Sequence, residues 1–271
     1  VGWMSIFVVA PIIIMVVYAF STAAGDFTLE NFARMGTYTA VFTRSFKLAI
    51  IATLIALLIG YPVSYMLSKE GPQVQRIAMV LIMLPMWMNF LLRTYSWMSI
   101  LENNGLLNQL FQQIGLIDLY NQIAMHFASD PAAYVPIDHF QMIGTQGAVV
   151  LGMVYNYLPF MILPIYSVLV KLDHSLIEAA RDLGASSVQV FRKVILPLSL
   201  PGVLSGITMV FVPSVSTFAI SRLLGGGTQM MLGDLIEQQF LGGAYNPQLG
   251  AAIALVMMAR FGDGEEQAVM L

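Results

Sequence analysis

Five long stretches of this chain are apolar and almost free of charge, and they settle its class before any motif is considered. They cover residues 2–20, 46–67, 77–101, 149–170 and 198–220. Each is close to the ~20 residues that carry an α-helix across a bilayer. Strands of a membrane barrel are about half that length and alternate apolar with polar residues. The expected fold is therefore an all-α integral membrane protein. Composition agrees, with 58% hydrophobic and 10% charged residues, against ~25% charged in soluble domains. Prolines lie inside several of these runs, at Pro11, Pro159, Pro164, Pro201 and Pro213. Spans tolerate them where neighbouring helices satisfy the freed backbone.

A sixth run, 249–261, carries Arg260 and then meets Asp263, Glu265 and Glu266. Its thirteen residues rise only ~20 Å, short of a ~30 Å hydrocarbon core. We count it as a sixth span, cut short or half-inserted. The first run reads as a retained span with no cleavable signal before it. The chain is expected to be one transmembrane unit, 1–271, with no soluble domain beyond the loops.

Basic residues orient the spans. Loops 68–76 and 171–197 hold Lys69, Arg76, Lys171, Arg181, Arg192 and Lys193, and the loop 102–148 holds Glu102, Asp118, Asp130 and Asp138 with no Lys or Arg. Arg34, Arg44 and Lys47 weigh the other way in the first outer loop. The balance puts the N-terminus and the loop 172–197 in the cytoplasm.

That loop is the most structured charged segment. Ser175 and Glu178 have the spacing of a capping box, which predicts a helix from Leu176 with Leu176, Ala179, Ala180 and Leu183 at helical spacing. Gly184 supplies the stop. Ser186 and Gln189 repeat the start signal, predicting a second short helix through Val188, Phe191, Val194 and Ile195. Pro197 and Pro201 suit the first turn of the next helix. The plain alternative is an elbow lying flat on the bilayer.

Enzyme motifs are missing. The chain has no G-x-x-x-x-G-K-[ST], no H-E-x-x-H and no G-x-S-x-G, and no cysteine, so P-loop binding of ATP and thiol chemistry are excluded. His126, His139 and His174 read as loop residues without metal spacing. Polar residues in spans mark pathways or helix contacts. Asn89, Arg93 and Trp97 are spaced by four and share a helical face, as do Ser214, Thr217 and Ser221, spaced by three and then four; Tyr155, Asn156 and Tyr157 precede Pro159. Arg93 is costly in lipid and is expected to find a carboxylate or carbonyl. Residues 230–240 read as a short amphipathic helix with Leu232, Leu235, Ile236 and Gln239 on one side. Asp234 and Glu237 share another side, either solvated or holding a cation.

The pattern Glu178-Ala179-Ala180, three residues, Gly184, then Leu196-Pro197 resembles the EAA loop of ABC-importer permeases, with Val194 where the family has isoleucine. The stretches 84–95, 157–161 and 178–185 extend the likeness to the spermidine/putrescine branch of type I importers. The resemblance implies about six spans with a cytoplasmic coupling loop between spans four and five. It implies a second permease subunit, a dimer of ATPase subunits that hold ATP and Mg, and an extracytoplasmic polyamine-binding protein. It implies no cofactor, no metal and no catalysis in this chain. It assigns ATPase docking to Glu178, Ala179, Ala180, Asp182, Gly184, Leu196 and Pro197. For a polycation pathway, aromatic and carboxylate chemistry points to Trp87, Asn89, Tyr95, Tyr155, Asp234 and Glu237. Rival readings are a permease for ferric ion, sulfate or phosphonate, and a stand-alone transporter, which would want coupling-ion carboxylates that the spans lack.

Overall fold

The computed structural model turns the apolar runs into helices, and describes Trp3 and residues 5–127, 135–243 and 245–269. Among these the regular structure is helical, apart from an isolated antiparallel bridge between Ser21 and Phe27. A π turn, Ser5–Val9, leads into α1 (Ala10–Ala19). Next come α2 (Glu30–Arg34), a 3-10 turn (Met35–Tyr38) and α3 (Thr39–Ser68). They are followed by α4 (Pro72–Trp87), α5 (Phe90–Leu101), α6 (Leu106–Gln113), α7 (Leu116–Phe127) and α8 (Gln146–Leu169). After α9 (His174–Asp182) come α10 (Ser187–Val190), a π segment (Phe191–Ile195) and α11 (Leu196–Ser216). The order closes with α12 (Ala219–Leu224), α13 (Leu232–Leu241) and α14 (Pro247–Val269).

Among the described residues, three continuous helices are long and apolar enough to cross a membrane: Glu30–Ser68, Gln146–Leu169 and Ser187–Ser216. The pair Pro72–Trp87 and Phe90–Gln113 makes a fourth if its two arms are one broken span. Ile6–Ala19 and Pro247–Ala259 are shorter apolar helices.

Small residues let α3, α8 and α11 approach closely. Ala49, Ala52, Ala56, Gly60 and Ser64 are buried along α3. A Cβ on Gly60 would stand 2.9 Å from Met161 Cγ, and one on Gly202 would stand 2.8 Å from the Pro164 carbonyl. Between helices in lipid such contact replaces the hydrophobic effect as the source of association. Hydrogen bonds add to it. Ser64 Oγ donates to the Ile162 carbonyl at 3.1 Å, and the Tyr61 and Ser199 hydroxyls lie 2.9 Å apart. Each is worth ~0.6 kcal/mol by the usual membrane values. One apolar cluster (Ala56, Met161, Ile165, Val190, Ile195) sits beside α9, and so ties the loop that carries α9 to the helix triad.

Several expectations need correction. The run 77–101 is two helices, not one, bent by 88°. Pro85 lacks an amide for its turn, the chain extends at Met88, and Asn89 restarts the helix by accepting from the Leu91 and Leu92 amides at 2.8 and 3.4 Å. Asn89 therefore precedes the helix that carries Arg93 and Trp97 rather than sharing a face with them. The run 198–220 also breaks, at extended Thr217, so Ser214, Thr217 and Ser221 straddle a joint. Its helix starts earlier than expected, at Ser187: the second loop helix runs on into the span through a π segment just before Pro197, whose ring excludes a bond to the Lys193 carbonyl. The run 46–67 likewise starts earlier, at Thr39, which brings Arg44 and Lys47 into α3. The run 249–261 lies within α14, whose backbone is helical for 23 residues. The loop 102–148 contains α6 and α7, and His126 and His174 lie in α7 and α9 rather than in loops. Asp130, and part of the expected long stretch 128–141, lie outside the described residues.

Candidate coupling element and transport face

Helix α9 is built by its ends. Asp173, not Ser175, is the N-cap: its carboxylate accepts from the Ser175 amide at 2.9 Å, so the Ser175–Glu178 box does not form. Both residue types cap well, but a carboxylate also meets the positive end of the helix dipole. We expect Asp173→Ala to weaken α9 by ~1 kcal/mol and Ser175→Ala to leave it unchanged, read as amide exchange across 174–183. The other end is a Schellman motif. The Ala185 amide donates to the Ala180 carbonyl at 3.1 Å and the Gly184 amide to Arg181 at 2.8 Å. Gly184 takes φ +82°, a left-handed conformation that suits glycine. The next start is as expected: Ser186 and Gln189 form a full capping box.

The two faces of α9 differ. Ile177 and Ala180 pack towards the bundle. Leu176, Glu178, Ala179, Asp182 and Leu183 are exposed, Leu183 by 89%. Leu176, Ala179 and Leu183 thus make an apolar stripe at i, i+3, i+7, the spacing with which a helix enters a groove. The bland expectation for a short helix beside a membrane would put those leucines inwards; here they point away from the protein. Beneath α9 a cavity of about 220 Å3 is lined by Ile177, Arg181, Tyr65, Lys69 and Ser187, with Lys69 Nζ 3.8 Å from the Tyr65 ring centre. Pro197 lies in the first turn of α11 and Leu196 beside it is exposed.

The residues chosen for a pathway do not form one cluster. Trp87 (76% exposed), Asn89 and Tyr95 stand around the break between α4 and α5, and the Asn89 carbonyl is used as a cap. Tyr155 packs edge-on against Trp97, 5.3 Å between ring centres, and both line an apolar groove of about 660 Å3 between α3 and α8. Asp234 is buried, against the expectation of a solvated face. Its Oδ2 accepts from the Ser221 hydroxyl at 2.5 Å and from the Met231 amide at 2.9 Å. Burial pushes its carboxyl above the ordinary carboxylate value, opposed by those two hydrogen bonds and the Arg222 charge. Glu237 is held by Arg222 in a two-pronged pair at 2.7 and 3.1 Å. Sequence reading took Arg222 only as a charge of the outer loop 221–248, and passed over Ser45, whose hydroxyl accepts from the Leu232 amide at 2.8 Å. Among the described residues, no three His, Cys, Asp or Glu side chains come together as metal ligands.

The model of the family described as "Binding-protein-dependent transport system inner membrane component" matches residues 56–262, from α3 into α14. The chain belongs to this family. The permease is 36% identical over 249 residues to the spermidine/putrescine transport system permease protein PotB of Escherichia coli (strain K12), covering 89% of this chain and 84% of that one. Against the protein of the same name from Haemophilus influenzae it is 36% identical over 269 residues, 95% and 87% of the two chains. Its fold is similar to a bacterial ABC transporter that imports the acidic polysaccharide alginate, with TM-score 0.71, 17% identity, and 99% and 92% coverage. It is also similar to an inward-facing MetNI methionine ABC transporter, with TM-score 0.59, 17% identity, and 88% and 95% coverage. At those identities the two structures speak for the fold alone. The permease is thus a bacterial inner-membrane, all-helical transport subunit.

Proposed function

We propose that the permease forms half of the translocation pathway of an ATP-driven polyamine importer. The identity to spermidine/putrescine permeases along nearly the whole chain carries this reading. The N-terminus is cytoplasmic, and so is α9. A dimer of ATPase subunits holds ATP and Mg, and its surface receives the stripe Leu176, Ala179 and Leu183, with Glu178 and Asp182 facing basic groups beside it. Gly184 fixes where the chain leaves that cleft, and Leu196 and Pro197 begin the helix that carries the movement into the membrane. A second permease subunit completes the pathway and an extracytoplasmic polyamine-binding protein delivers the solute. Trp87, Tyr95 and Tyr155 offer aromatic faces to an extended polycation. Glu237 offers charge at the outer side only on release from Arg222, which holds both of its oxygens. Asn89 and Asp234 serve the pathway through the backbone they hold, Asn89 as the cap of α5 and Asp234 as the cap of α13.

The test is ATP hydrolysis by the assembled complex in nanodiscs, with the binding protein, with and without spermidine. Spermidine is expected to stimulate hydrolysis. Stimulation by a different solute alone would keep the importer and discard the polyamine; no ATPase co-purifying would discard the importer.

A further inference from the structure

The cavity of about 220 Å3 under α9 stands where apolar helices of the bundle end. Its walls are the last turn of α3, the end of α8 and the segment that leads into α11, and α9 closes it on one side. Leu169, Ile177, Val190 and Ile195 give it an apolar lining that continues into the bundle. Lys69 and Arg181 add two positive charges, and no Asp or Glu lines the cavity with them.

The chain does not neutralise these cations. Among the described residues the ion pairs are Arg34–Glu30 and Arg222–Glu237, and neither includes Lys69 or Arg181. Lys69 is nevertheless placed, with its Nζ 3.8 Å from the centre of the Tyr65 ring. Such a contact orients a cation without cancelling its charge. The Ser187 hydroxyl beside them is a further donor.

A lysine, an arginine and a hydroxyl converging on one cavity suit a phosphate group. Free phosphate and a phospholipid headgroup both supply one. The apolar lining decides between them, because a soluble anion would leave it wet. A phospholipid covers it, and Met66 and Val170, exposed at the same level of α3 and α8, give its chains apolar surface to lie against. Basic pockets between membrane helices hold anionic headgroups in this way.

We infer that the cavity between α3, α8 and α9 seats the headgroup of an anionic phospholipid, with its phosphate on Lys69 and Arg181. The lipid links the membrane end of α3 to α9, and steadies α9 from its inner side while the outward stripe stays free. The assignment does not depend on which solute the permease carries.

The experiment counts, by native mass spectrometry, the phosphatidylglycerol retained per full-length permease in mild detergent, with zwitterionic phosphatidylcholine in parallel. Wild type is expected to keep one phosphatidylglycerol under conditions that strip phosphatidylcholine. Lys69→Gln combined with Arg181→Gln should weaken retention by ~30-fold, the worth of two basic residues facing an anionic headgroup. Lys69→Arg combined with Arg181→Lys keeps both charges and should keep the lipid. Arg76→Gln combined with Arg192→Gln removes two charges from the same loops, away from the cavity lining, and should leave retention unchanged. All four positions are exposed, so the variants are expected to fold as wild type does. Equal retention by wild type and the Lys69→Gln, Arg181→Gln variant would overturn the site. So would an equal fall in the Arg76→Gln, Arg192→Gln variant. Displacement of the lipid by millimolar inorganic phosphate would overturn the lipid as occupant in favour of the free anion.

Discussion

Gly233→Ala is expected to lower the thermal midpoint of the purified permease by ~5–10 °C, while Gly243→Ala leaves it within about 1 °C. A Cβ on Gly233 would lie 2.1 Å from the Ser216 carbonyl oxygen and 2.7 Å from that of Thr217. Both are backbone atoms at the joint where α11 ends, so no side chain can swing aside. Helix α13 would have to retreat by about 1 Å to restore contact distance. That retreat strains two buried hydrogen bonds at once, the Leu232 amide to Ser45 and the Ser221 hydroxyl to Asp234. It also opens the apolar cluster in which Leu232 and Leu235 meet Ala49, Val215 and Ile253. Overpacking costs ~1–3 kcal/mol, and leaving a buried carboxylate short of donors adds to it. A total near 3 kcal/mol corresponds to the stated shift for a chain of this size. Gly243 has open space around its Cα and an ordinary backbone, which makes it the control. An unchanged midpoint for Gly233→Ala would mean that α13 is not seated against Ser216 and Thr217.

This joint also shows where sequence reading stops. The apolar runs located α3, α8 and α11, because a run of ~20 uncharged residues has few other folds open to it. Local rules also located the Ser186–Gln189 box and the stop at Gly184, since both depend only on residues within one turn. Local rules failed where two were equally good. Asp173 and Ser175 are both caps, and the helix took the charged one. The failure was larger where the partner was distant in sequence. Asp234 looked solvated because its own helix is amphipathic, yet its donors are Ser221, 13 residues away, and the Met231 amide at its own N-terminus. Asn89 looked like a polar residue inside a span, and only the 88° bend reveals a cap. Arg93 was expected to be paired within the chain, and no local signal could have shown that none of the described residues bonds its Nε or Nη1. The outward stripe of α9 was half legible. Helical spacing identified Leu176, Ala179 and Leu183, but which side they face depends on Ile177 and Ala180 docking on α3, α8 and α11.

That orientation underlies the second large effect. Leu183→Glu and Glu178→Lys are each expected to reduce spermidine-stimulated ATP hydrolysis by ~30-fold or more, with the thermal midpoint of the isolated permease unchanged. Both side chains are exposed, Leu183 by 89%, and substitutions at such sites alter stability by about 0.5 kcal/mol or less. In the docked complex the same positions are desolvated. Anchors of that kind are worth ~2 kcal/mol or more, which is the stated ~30-fold. Ile177→Glu supplies the opposite pattern, because its side chain packs among Tyr65, Leu169 and Val190; it is expected to lower stability first and coupling only as a consequence. Gly184→Ala lies between the two. Nothing stands within 4 Å of its Cβ position, so the only cost is the left-handed backbone, ~1–2 kcal/mol. That cost falls on the Schellman motif and tilts α9 at its exit, so coupling should fall more than stability. The order of losses in coupling, Leu183→Glu and Glu178→Lys above Gly184→Ala, holds if the outward face of α9 is the docking face. If Ile177→Glu instead uncouples hydrolysis at unchanged stability, the docking face is the one turned towards the 220 Å3 cavity, and the ATPase would have to enter between α9 and the ends of α3 and α8.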